Sequence, residues 1–121
     1  MARDGQERDR ESGMVSAELA VSLVTLLLVL AMVLGAVRAG MDRAASVSVA
    51  GAIAREAARG GVASAVWQDL RDGLPAGSSM ALWRDGAMVT ATVSVPVRVG
   101  LASVVLPDRM SVRAVARMED P

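Results

Sequence analysis

Residues 14–37 read MVSAELAVSLVTLLLVLAMVLGAV, and Glu18 is the only charged residue among them. As a helix rising ~1.5 Å per residue, this run would span about 36 Å. A bilayer's hydrocarbon layer is roughly 30 Å thick, so the run can cross it with some tilt. A helix this apolar is too long for the core of so small a protein. The sequence therefore predicts a membrane-inserted segment.

What remains bounds the rest of the fold. The chain has 121 residues, with neither cysteine nor histidine. Outside the apolar run and the residues before it, about 80 remain, enough for one small domain with a marginal core. No disulfide or Cys/His metal site can staple it. The soluble part is expected to lean on a long helix or on neighbouring subunits. Thirteen basic residues, all arginine, balance thirteen acids. Near-zero net charge, scattered arginines and only two aromatics, Trp67 and Trp83, argue against a nucleic-acid surface.

Chemistry has few tools here. Without His, Cys, Lys or Tyr, the Ser-His-Asp, Cys-His and Ser-Lys arrangements cannot be built. Asp69 and Asp72 would share a helix face, but a surface pair at a helix end is the simpler reading. Ser78-Ser79 reads as an ordinary loop, and no glycine-rich phosphate motif is present. The sequence predicts no catalytic, cofactor-binding or metal site, and so no enzyme.

The flanks of the apolar run give it direction. Residues 1–13 carry Arg3, Arg8 and Arg10 against Asp4, Glu7, Asp9 and Glu11, with no apolar face to bury. Disorder is expected there. This hydrophilic leader closes on Gly13, Met14 follows, and Glu18 stands fifth counted from Met14. A secretory signal is one rival: Val37-Arg38-Ala39 is a tolerable cleavage pattern, although the run exceeds the usual ~7–15 apolar residues. A plain single-pass anchor is another. Arginines do not set the orientation, because three precede the run and Arg38, Arg43 and Arg55 follow it closely. Within the run Ala31, Gly35 and Ala39 recur every four residues, a spacing that lets helix backbones approach closely in lipid. Ser22 and Thr25 can bond back to their own helix carbonyls.

Beyond residue 40 the pattern turns amphipathic. Ile53, Ala57, Val66 and Leu70, with Ala50, Ala54 and Val62, fall at helical spacings. Arg43, Arg55, Glu56, Arg59 and Asp69 fill the other side. The pairs Arg38/Asp42 and Glu56/Arg59 sit at neighbour spacings. A helix over 40–73 is predicted, bent or broken at Gly51 or Gly60-Gly61 and stopped near Asp72-Gly73, before Pro75 and Gly77.

The period then becomes two. In 89–99 the odd positions are apolar and the even ones mostly polar, which predicts a half-buried strand with Pro96 at an edge or an end. A strand at 80–84 precedes it, with Asp85-Gly86 as the hairpin turn. A third strand places Met110, Val112, Ala114, Ala116 and Met118 on one face. Residues 101–106 read as an apolar connection or short strand. The expected fold class is α+β: a long N-terminal helix, half membrane and half amphipathic, packed on a small antiparallel sheet at 78–121.

Leader, Gly13-Met14, Glu18 and apolar helix together resemble the type III signal of type IV pilins and pseudopilins. With AREAARGG at 54–61 and a small C-terminal domain, the chain is similar to TadE-like minor pilins of the tight-adherence (Flp) type IV pilus family. The resemblance implies a pilin-like fold, a leader at 1–13 cut by a prepilin peptidase after Gly13, and a transmembrane assembly helix at 14–39. Glu18 would pair with the amino terminus of a neighbouring subunit and guide assembly. Implied partners are membrane lipid, the peptidase, other pilin subunits and the pilus assembly platform, with no nucleic acid bound directly. The implied location is the cytoplasmic membrane, single-pass with the C-terminus outside, or a cell-surface pilus. Flp major pilins usually have Glu-Tyr at this site and a much shorter mature chain. Here Leu19 follows Glu18 and 121 − 13 = 108 residues would remain, which favours a minor component. A type II secretion pseudopilin, or a membrane-anchored or secreted binding domain, are the alternatives.

Overall fold

Helix α1 runs over Ala2–Ala58, and the chain divides into two units, Met1–Leu34 and Gly35–Pro121. The computed structural model describes residues 2–97 and 107–120. The first unit is α1 alone, and its leader is helical where disorder was expected. Gln6, Glu7, Arg8, Arg10 and Glu11 are good helix formers, and Asp4 complements the amino end of the helix. More decisively, extending a helix already formed by residues 14–37 requires no new nucleus. The lack of an apolar face does not stop propagation.

In the second unit α1 continues unbroken through Gly51 and ends at Ala58. Its terminus follows from Gly60-Gly61. Gly60 is left-handed (φ +80°), its N–H donates to the Ala57 carbonyl at 3.2 Å, and the Gly61 N–H donates to the Glu56 carbonyl at 2.9 Å. Those two bonds are the Schellman closure, which satisfies carbonyls otherwise orphaned at a helix end. The Glu56 carboxylate also lies where a Gly61 Cβ would sit. The expected break is therefore at Gly60-Gly61 and not at Gly51. A separate helix α2 occupies Ala63–Leu70, followed by a 3-10 turn at Arg71–Gly73.

That break corrects the expected apolar face. Helical phase does not carry across the break at Gly60-Gly61: Val62 and Leu70 are exposed, while Val66 packs partly buried against the core. Upstream, Val49, Ala50, Ile53, Ala54, Ala57 and Ala58 are buried at the spacing read from the sequence. Ser46 is fully buried too, and its hydroxyl is satisfied by donating to the Asp42 carbonyl at 2.6 Å. The expected Arg38–Asp42 pair forms at 3.5 Å. Arg59 turns instead to Glu119, at 3.9 Å, rather than to Glu56.

Three antiparallel strands, β1 (Ser79–Asp85), β2 (Met88–Pro96) and β3 (Arg109–Arg117), form a sheet in that order. The hairpin turn sits one residue later than expected, on Gly86-Ala87, with Asp85 paired to Met88. Gly86 has φ +56° and Ala87 a negative φ, the pattern of a type II′ turn, in which glycine takes the first central position. Pro96 closes the central strand at its last position, opposite Arg109. Arg98 and Val99, and the connection at 101–106, lie outside the described residues.

Alternation places Val89, Ala91, Val93 and Val95 of β2 wholly inside, the last three against Val49, Ala50, Ile53 and Ala54 of α1. Leu74 closes one side of this core, with Trp67, Leu82 and Met110 partly buried around it. Alanines on the helix let it lie close to the sheet, and Ile53 is its one large, fully buried contribution. The outer face shows Arg109, Arg113 and Arg117 along β3, and Trp83 stands 71% exposed. The Arg109 guanidinium donates to Ser94 Oγ and to the Gly77 carbonyl, both at 3.0 Å, tying the strands at one end.

Candidate functional site

The fifteen large apolar side chains of residues 14–37 are each 46–73% exposed. Removing them from water is worth on the order of 20 kcal/mol. A helix in that state needs lipid or other helices around it. α1 is long and apolar enough to cross a membrane, and none of its most apolar window is buried inside the chain.

Glu18 interrupts this surface. Helical geometry gives it Met14 and Ser22 as neighbours four residues away and Val15 and Val21 three away, so no basic side chain of its own helix reaches it. Among the described residues the ion pairs are Arg38–Asp42 and Arg59–Glu119, and neither involves Glu18. A carboxylate near the edge of a hydrocarbon layer calls for a partner.

Gly13 and Met14 lie in the same continuous helix. A Cβ built on Gly13 meets nothing within 4 Å, so packing does not require glycine there. Met14 is 73% exposed. Of the small-residue series, Ala31 is exposed while Gly35 and Ala39 are half-buried. Ala39 lines a crevice with Asp42, Val95, Pro96, Val97 and Met110. Thr25 bonds back to the Val21 carbonyl at 2.9 Å, as its position in a helix suggests.

The crevice around Ala39 was not anticipated. Nothing in the spacing of Ala39 and Asp42 announces that a strand end packs there. The one available signal was the position of both residues just past the apolar run. Elsewhere every buried side-chain nitrogen or oxygen among the described residues has a hydrogen-bond partner. No family model, curated protein or solved structure matches this chain.

Proposed function

We propose that the chain is a TadE-like minor pilin, or pseudopilin, that takes part in assembling a tight-adherence (Flp) pilus and carries out no catalysis. The precursor inserts with its leader on the cytoplasmic side. A prepilin peptidase cuts after Gly13, and the apolar helix then packs among other pilin helices, with the C-terminal domain outside.

The observation that supports this reading most is Glu18, the fifth residue counted from Met14, which has no ion-pair partner among the described residues and stands on a helical run, residues 14–37, whose large apolar side chains are all exposed. Cleavage would create a free amino group at Met14, about 6 Å along the axis from Glu18. The positive end of the helix dipole would lie at the same place. Glu18 could then neutralise the amino terminus of an adjacent subunit as helices associate, which makes the ion pair a test of register between subunits.

The deciding experiment is the mature N-terminus, read by mass spectrometry of membrane and sheared-surface fractions. A start at Met14 is expected. A start at Gly40 would mean a secreted domain, and an intact leader beside an active prepilin peptidase would mean a plain anchor. Either result sinks the pilin reading.

A further inference from the structure

We propose that the outer face of the sheet pairs with the same face of a second copy of this chain, about a twofold axis running along β2. Strand register builds this face in rows. Asp85, Met88 and Arg117 form one row, and Trp83, Thr90 and Val115 the next, followed by Ala81, Thr92 and Arg113. These positions alternate with the buried Val89, Ala91 and Val93, so they point away from the core. Trp83, Val115 and Met88 all stand exposed. They adjoin one another in two neighbouring rows, and an apolar patch of that kind marks an interaction surface.

Charge says what covers it. The row through Met88 ends in the Asp85 carboxylate on β1 and the Arg117 guanidinium on β3, two strands and about 10 Å apart. Neither has an ion-pair partner among the described residues. Two copies can stack these faces symmetrically in two ways. An axis across the strands brings the arginines of the two β3 strands together. An axis along β2 sets β1 of each copy over β3 of the other. Asp85 then meets Arg117 of the second copy and Trp83 meets Val115, each contact made twice, while Met88 meets Met88. Indole over branched aliphatic fills the roughly 10 Å between stacked sheets. Arg113 lies over Ala81, its stem covering the alanine and its guanidinium reaching water past β1. Arg109, the remaining charge of the face, lies beyond the paired rows beside the exposed Asp108 and is already bonded to Ser94 and Gly77.

Three rows of three give nine residues a side, against roughly 20–30 in a stable interface of standard size. Pairing is therefore weak between free molecules. It becomes effective when anchoring helices hold two chains in one bilayer and raise their local concentration. In that respect alone it rests on reading residues 14–37 as a membrane span. A twofold contact of this kind is closed, so it joins two chains and goes no further.

The chain has no cysteine, so Met88→Cys in the full chain gives a single cross-linking point. Chains reconstituted into phosphatidylcholine vesicles are treated with a short bismaleimide, and covalent dimer is read on a denaturing gel. Met88→Cys should cross-link several-fold more than Gln68→Cys, a control at an exposed position on α2. In the Met88→Cys background, Asp85→Arg or Arg117→Asp alone sets like charges against each other and should cut the dimer several-fold. Mixing those two variants before reconstitution restores opposite charges at both contacts, and the dimer should return. Equal cross-linking at 88 and 68, or a mixture no better than either variant alone, overturns the pairing and leaves the face to a different partner. Flotation with the vesicles reports the span separately, and the mixing result decides the pairing whether or not the chain floats.

Discussion

On the proposed reading, Gly13 and Glu18 serve two separable steps, maturation and assembly. At Gly13 the helix has open space for a methyl group, and alanine is the better helix former by about 1 kcal/mol. Gly13→Ala should leave thermal stability unchanged or slightly raised while preventing maturation, seen as an unshifted precursor mass. Glu18→Ala should behave in the opposite way. Its mature N-terminus should still be Met14, but the protein should be missing from sheared surface fractions. Loss of maturation in Glu18→Ala would place its role at the peptidase instead. Gly60 belongs to the same scale. Its left-handed φ is costly for any residue with a Cβ. Gly60→Ala should lower stability by about 1 kcal/mol, measured by denaturation of the full chain in detergent.

The elements show which parts of the chain speak locally. Strands β2 and β3 were legible because each buries one face, and Val89, Ala91, Val93 and Val95 alternate without exception. The helical face around Ile53 was legible for the same reason at a period of 3.6. Three features were not. The leader lacks an apolar face, and helicity there comes from continuity with the neighbouring run. Val62 and Leu70 lie beyond a helix break that resets the phase. The turn moved by one residue because Gly86 is needed first in a type II′ turn, and Asp85 stays in the ladder. At the candidate site, Gly13, Met14 and Glu18 are named through the resemblance to the type III signal, whereas the crevice at Ala39 needs a strand end supplied from more than fifty residues away. Ile53 tests the helix–sheet contact. Ile53→Ala should cost about 2–5 kcal/mol, and since a domain this small has little stability to lose, proteolysis of the C-terminal domain should rise sharply. Unchanged resistance would mean that the face tolerates a cavity.

For the whole molecule, the same helix supplies an exposed apolar surface and one wall of a soluble core. Leu27 stands near the middle of the apolar run and is 54% exposed. Leu27→Arg places a charge where insertion costs about 2.5–3.5 kcal/mol. The variant should shift toward the carbonate-extractable fraction, while its sheet, built from residues far along the chain, should retain its protease resistance.

The arginines of β3 have a consequence of their own. A short open sheet can recruit strands from other molecules into a continuous ribbon. Arg109, Arg113 and Arg117 sit at every second outward position of an outermost strand, and each added copy would stack guanidinium on guanidinium. Uncontrolled growth by strand addition is discouraged, and on the proposed reading any further stacking of subunits falls to the apolar helix, where a misplaced neighbour can slide, turn and leave again.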